Sequence, residues 1–312
     1  FGFPAGLAGM GETLVALGQR LAAEGIESPF AAVRPPHEFN DLEAYKASLR
    51  AIGAEISAKG LPASISPLVF GFAGYGNVAR GAWEILDCLP VIEIPPEDLP
   101  GLAKGGGASA RHVYKVVFKE EHSVEPRPGH GPFATADYFA HPERYQGTFT
   151  RWLPHIDVLV NCIYWTSACP RILSLEDARA LAAAGRPRLR VVGDISCDIA
   201  GGIELTVKAT QPDVPCFTVD PATGAVTDGV AASGITVMAV DNLPCELPRE
   251  ASMFFSRALR DLVPPLVRAE LATGEGPTGL PRTLDDAVIV RGGKLTPRFA
   301  HLESHAAPFR GH

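Results

Sequence analysis

Apolar residues fall on one helical face near the start of the chain: Leu7, Met10, Leu14, Leu17 and Leu21 recur at spacings of 3, 4, 3 and 4, and the run stops at Gly25. That spacing predicts an amphipathic helix. A second helix is predicted over Asp41 to Lys59, capped by Asn40 or Asp41 and stopped by Gly60-Leu61-Pro62. The period then changes. Leu68-Val-Phe-Gly-Phe-Ala73 is a short unbroken apolar run of the kind buried on both faces of a parallel sheet. Further strands are predicted at Val91–Ile94, Val113–Phe118, Asp157–Cys162, Leu189–Asp194 and Ile235–Val240, with helices over Val78–Leu86, Asp137–Leu153 and Ser174–Ala184. Such strand–helix–strand alternation implies an α/β fold built on a doubly wound parallel sheet.

Beyond Gln211 the pattern loosens, and Pro221-Ala-Thr-Gly224 reads as a hairpin turn. A strong amphipathic helix follows, with Ala251, Phe254, Phe255, Ala258, Leu259 and Leu262 on one face and Pro264-Pro265 to end or kink it. A last strand is expected at Ala287–Val290, before a Gly292-Gly293 turn. Composition narrows the class. The 312 residues are 46% apolar and 20% charged, which excludes a disordered chain. The net charge of −7, with no basic stripe, argues against a partner recognised through nucleic-acid phosphates. No run approaches the roughly 18 apolar residues of a membrane-spanning helix. Six cysteines without CxxC spacing suit a reducing compartment, and nine histidines without ligand spacing give no expectation of a metal. No transit segment is visible, so a cytoplasmic location is expected, with a mitochondrial one left open. The chain opens at Phe1 rather than Met and runs directly into a helical pattern, so a fragment of a longer protein is expected.

The sharpest local signal is Gly74-Tyr-Gly76-Asn-Val-Ala79, directly between a predicted strand and a predicted helix. Gly74 permits a tight turn, Gly76 lets the backbone approach a pyrophosphate, and Ala79 keeps the helix close to the sheet. This context points to dinucleotide binding, a bare tight turn being the alternative. The acid expected about 20 residues on to bind the ribose is contested among Glu93, Glu97 and Asp98, so NAD versus NADP stays open. Val192-Gly-Asp194-Ile-Ser-Cys-Asp198-Ile-Ala-Gly201-Gly202-Ile-Glu204 places acids at a strand end, where a carboxylate could orient a cofactor amide, hold an ammonium or move a proton. Capping is the plainer reading there, as it is for Val240-Asp241-Asn242-Leu243-Pro244. In Asn161-Cys162-Ile163-Tyr164-Trp165 the two aromatic rings either flank a cofactor or belong to the core, and Cys162 reads as a buried structural thiol. His141-Pro-Glu-Arg-Tyr145 reads as charged helix surface, with Arg144 a weak candidate for a carboxylate substrate.

Taken in order, these motifs resemble one family. Asp194-Ile-Ser-x-Asp198-x-x-Gly-Gly-x-Glu204 and Asp241-Asn-Leu-Pro, followed by Pro248-Arg-Glu-Ala-Ser252, are similar to the alanine dehydrogenase and transhydrogenase superfamily. Within it, Gly74-Tyr-Gly-Asn-Val-Ala-Arg-Gly-Ala82, His141 to Tyr145, Val160 to Trp165 and Val240 to Ser252 resemble the lysine-forming saccharopine dehydrogenases, that is, the lysine–2-oxoglutarate reductase domain of aminoadipic semialdehyde synthase. The resemblance implies a Rossmann-like domain over residues 1–245, with the early helices packed on it, and a returning segment of a substrate domain over 246–312. It implies an oxidoreductase that uses NAD or NADP, with a lean towards NADP, on lysine, 2-oxoglutarate and saccharopine. A fused or paired glutamate-forming saccharopine dehydrogenase domain is implied as partner, and no nucleic acid or membrane. The cofactor would lie against Gly74, Tyr75, Gly76, Asn77 and Val78, with Tyr164 beside it and Val240, Asp241, Asn242 and Leu243 at its nicotinamide end. Phe1, Ile195 and Asp198 would face substrate, and Asp194 is the one catalytic candidate. The family's catalytic lysine and histidine lie in an N-terminal segment with no counterpart here, so dinucleotide binding with little or no turnover is expected. An alanine-dehydrogenase-like or opine-type enzyme, or a non-catalytic dinucleotide-sensing module, are the alternatives.

Overall fold

A computed structural model of the chain describes residues 1–102, 107–185, 188–269 and 278–303. They divide into two compact units, Phe1–Ala251 and Ser252–His312. The expected segment 246–312 therefore lies partly outside the described residues. Among the described residues no helix is long and apolar enough to cross a membrane.

The first unit is built on an eight-stranded sheet. Its strands are β1 (Leu68–Ala73), β2 (Val91–Glu93), β3 (Val113–Phe118), β6 (Val158–Asn161), β7 (Val191–Asp194), β8 (Cys216–Val219), β9 (Val226–Asp228) and β10 (Ile235–Met238), in the spatial order β2-β3-β1-β6-β7-β10-β8-β9. β4 (Val124–Pro126) and β5 (Tyr145–Gly147) pair separately. The pairings from β2 to β10 are parallel, while β8 and β9 add an antiparallel edge. Alternate residues of β1 enter opposite cores: Leu68, Phe70 and Phe72 pack with the early helices, whereas Val69 and Ala73 join Tyr114, Val116 and Leu159 on the other face. A sheet covered on both faces is what an unbroken apolar strand requires.

Three helices pack on the first face: α1 (Gly2–Ala23), α2 (Leu42–Lys59) and α3 (Asn77–Leu86). Asp41 caps α2 by accepting a 2.8 Å hydrogen bond from Ala44 N, and Gly60 ends it at φ +80°. α1 crosses α3 at Gly6, where a Cβ would stand 2.8 Å from Ala82 N, so the crossing depends on a missing side chain. At the amino edge of the sheet, Asp157 accepts from Val69 N and pairs with Arg188 and Arg190 at 2.8 and 2.9 Å. Arg190 continues to Glu24 of the turn after α1 at 3.2 Å. α4 (Leu175–Ala183) begins with a capping box between Ser174 and Asp177.

Three expectations are corrected. The helix expected over Asp137–Leu153 is a single short helix, Thr135–Ala140, followed by 3-10 turns and β5. Pro142 forces His141 out of the helical region, to φ −141° and ψ 59°. Arg144 accordingly sits in a 3-10 turn, paired with Asp137 at 2.8 Å, and not on a charged helix surface. In the second unit the strand expected at Ala287–Val290 begins only at Val290, where β11 (Val290–Arg291) pairs with β12 (Lys294–Leu295) through glycines at positive φ. α5 (Pro248–Leu259) is the expected amphipathic helix, and Phe254, Phe255 and Leu259 are each 36% exposed or more. It ends at Leu259, before the two prolines, and Pro264 and Pro265 sit in the first turn of the next helix, Val263–Arg268.

Candidate dinucleotide site

Chain order sends β2 and β3 to one side of β1 and β6 to the other, so a crevice opens beyond the carboxyl ends of β1 and β6. Gly74 follows β1 at φ +102°, a conformation that any side chain would strain, and a Cβ there would stand 2.9 Å from Ile163 Cγ2 in the loop after β6. Gly76 differs. Its backbone, at φ −80° and ψ −161°, suits any residue, and a Cβ there would meet no protein atom within 4 Å. The space over Gly76 is therefore a cradle that a side chain would fill.

Gly76 is also the N-cap of α3 without a side chain to cap it, and the first turn carries no acid. Arg80 N bonds back to Gly76 O at 3.0 Å, so the amides of Asn77, Val78 and Ala79 have no acceptor within the helix. Free amides and the positive end of the helix dipole converge where an anion fits. Tyr75, 43% exposed, donates its hydroxyl to Glu120 at 3.0 Å, which raises its own pKa. Gly74, Tyr75, Phe118, Glu120, Ile163 and Tyr164 line a cleft beside the glycine turn. The residues present thus fit a dinucleotide phosphate.

None of Glu93, Glu97 and Asp98, the acids expected to meet a ribose, lies on a strand that adjoins β1. Glu93 ends β2, which lies outside β3 and does not touch β1, and it pairs with Lys115 at 3.0 Å. The strand beside β1 is β3, and Phe118-Lys119-Glu120 at its end presents Glu120 to the crevice. Glu120 was not among the acids read from the sequence, because the count ran about 20 residues from the glycine loop, although the predicted strand Val113–Phe118 ends two residues before it.

The other predicted residues fall along the same edge. Tyr164 is 91% exposed on the rim, and Phe1 is 59% exposed at the start of α1. Asn77 is exposed and Val78 half-buried in the first turn of α3. Ile195 is buried, with its side chain against Gly9 of α1. Asp241 and Asn242 are exposed after β10, while Val240 and Leu243 are buried beside them. Asp198 is exposed and opens a turn in which its carbonyl accepts from Gly201 N at 2.9 Å.

Asp194 is 1% exposed and accepts from Thr206 Oγ1 at 2.5 Å, Asn161 Nδ2 at 2.8 Å and Cys197 N at 3.2 Å. Burial pushes its carboxyl up to about 6 against those hydrogen bonds. Both oxygens are engaged, so Asp194 ties β6, β7 and the following loop together. That loop bends through Cys197 and Ala200 at φ +52° and +51°, which is strained backbone for residues with side chains.

No protein-family model matches the chain. An alpha-aminoadipic semialdehyde synthase of Arabidopsis thaliana is 37% identical over 312 residues, 97% of this chain and 29% of the plant protein. The mitochondrial alpha-aminoadipic semialdehyde synthase of Bos taurus is 32% identical over 317 residues, again 97% of this chain, and 34% of its own length. A saccharopine dehydrogenase [NAD(+), L-lysine-forming] of Emericella nidulans is 34% identical over 119 residues, 36% of this chain and 28% of its own. The chain thus spans about a third of the length of the synthases it matches. The likeness carried by the motifs extends over nearly the whole chain.

Proposed function

Because the chain is related in sequence to the alpha-aminoadipic semialdehyde synthases, we propose that it is the dinucleotide-holding part of a lysine-metabolism oxidoreductase acting on the CH–NH bond of saccharopine. The observation that carries the reading is the pairing of empty space over Gly76 with the uncapped start of α3 at the switch point of the sheet. When bound, the dinucleotide supplies a hydride to the imine carbon formed from lysine and 2-oxoglutarate, or takes it back from saccharopine. Everything else falls to the chain. The amides of Asn77, Val78 and Ala79 hold the pyrophosphate. Glu120, steadied by the Tyr75 hydroxyl, accepts from the ribose hydroxyls. Asp241 and Asn242 offer polar groups at the nicotinamide end, and the buried Leu243 and Ile195 close that end to water.

An acid on the strand next to β1 favours an unphosphorylated ribose. The structural reading therefore favours NAD over NADP, against the lean of the glycine loop. A paired glutamate-forming domain would take saccharopine onward and remains part of the same proposal. The test is lysine-dependent oxidation of NADH or NADPH in the presence of 2-oxoglutarate, using the gene product that carries this chain. Oxidation that needs both carbon substrates supports the reading. Oxidation with pyruvate and ammonia in their place overturns it.

A further inference from the structure

Away from the glycine loop, two carboxyl groups face each other inside the first unit. Glu12 lies on α1 and Glu246 in the 3-10 turn Leu243–Glu246 that follows β10, and they are 1% and 2% exposed. None of their four carboxylate oxygens receives a hydrogen bond from a protein donor. His37, in the turn Pro36–Glu38, brings Nδ1 to 3.5 Å from Glu246 Oε2. One ligand atom from each of Glu12, His37 and Glu246 can be chosen so that all lie within 4.8 Å of one another.

A second, independent element points into the same place. Tyr45 of α2 is 0% exposed, and its hydroxyl has no partner. That hydroxyl reaches α1 beside Glu12, since a Cβ on Gly11 would stand 2.6 Å from it, and the charges of both carboxylates raise its pKa after burial does. Burial likewise pushes both carboxyls upward, Glu246 further because Glu12 opposes its charge. Two carboxylates cannot both stay ionised here unless something positive joins them. A shared proton serves two of the four oxygens and leaves the others, with the Tyr45 hydroxyl, unmatched.

We propose that Glu12, His37 and Glu246 form a binding site for one divalent first-row transition cation of the zinc class. One imidazole and two carboxylates suit such an ion, which keeps a fourth position for water, here beside the Tyr45 hydroxyl. The His37 side chain is 42% exposed and gives the ion its entry path. Sequence spacing could not reveal the site, because its ligands come from α1, a turn before α2 and a turn after β10. The ion would fasten α1 to the turn that carries Leu243, and so steady the loop Asp241–Leu243 from behind.

The chain, stripped with a chelator, is titrated with Zn²⁺ and separately with Mn²⁺ by calorimetry, and bound metal is counted by elemental analysis after dialysis. One equivalent of Zn²⁺ and a raised Tm are expected. His37→Ala, at an exposed position that leaves the fold intact, weakens binding by about tenfold or more. Glu12→Gln with Glu246→Gln abolishes it. Cys245→Ser leaves it unchanged, because that thiol is exposed and outside the cluster. A folded chain that takes up neither ion, or takes it up equally in the double variant, overturns the proposal and leaves a proton-sharing carboxyl pair.

Discussion

Gly76→Ala adds one methyl group at a position where the backbone accepts alanine and no protein atom lies within 4 Å of the new carbon. The unfolded chain loses freedom, which favours folding by about 0.4–1 kcal/mol, while alanine caps α3 less well than glycine by a similar amount. Stability therefore stays within about 1 kcal/mol of the parent. Binding falls, because the methyl stands where a pyrophosphate must come to reach the amides of Asn77, Val78 and Ala79. A hydrogen bond to a charged group contributes about 1.5–3 kcal/mol. Holding the phosphate off two of these amides therefore costs about 3 kcal/mol or more, which is at least about 100-fold in Kd. Calorimetric titration with NADH gives the affinity, and thermal unfolding of the same samples gives the stability. A variant that is as stable as the parent and binds NADH equally well refutes the assignment of the loop. A variant destabilised by more than about 2 kcal/mol, beyond what the poorer N-cap costs, refutes the claim that the space over Gly76 is empty for a ligand's sake.

Three further outcomes follow from the same geometry. Glu120→Gln removes the carboxylate at the end of β3, so the preference for NADH over NADPH shrinks by about tenfold while the fold is kept; an unchanged ratio of the two Kd values counts against Glu120 as the ribose reader. Asp157→Asn leaves Arg188 and Arg190 at the amino edge without their buried partner, which lowers stability by about 3–5 kcal/mol in denaturant titration yet leaves NADH affinity of the folded chain unchanged. Asp194 has a folded-state pKa raised from 3.8 to about 6, so the folded state holds its proton more tightly. Its contribution to stability is thus complete below about pH 4, is lost as the pH rises to about 6, and is constant above that. Parent minus Asp194→Asn stability should fall by up to about 3 kcal/mol across that window, and a flat difference would refute the burial of its charge.

What the sequence disclosed was local. β1, its glycine turn and α3 were legible because an apolar run, two glycines and a helical face follow one another without a gap. Asp41 and Gly60 marked the ends of α2 for the same reason. Between Asp137 and Leu153 the spacing of Tyr138, Tyr145, Phe149 and Trp152 imitates a helix, but those side chains serve two different cores and Pro142 breaks the backbone between them. The neighbour of β1 was not legible at all. β2 follows β1 in the chain yet lies outside β3, because strand order is decided by long-range pairing that no local pattern records. That single fact brings Glu120, and not Glu93, to the strand end beside β1. Asp194 was found by its place at a strand end, but its engagement with Thr206 and Asn161 depends on chain segments that meet only in the fold.

The most direct test is calorimetric titration of NADH, and then NADPH, into the purified chain, with folding checked on the same sample by circular dichroism. One equivalent of NADH binding in the micromolar range, more tightly than NADPH and abolished by Gly76→Asp, is the predicted result. A well-folded chain that releases no heat with either dinucleotide would contradict the account at its centre.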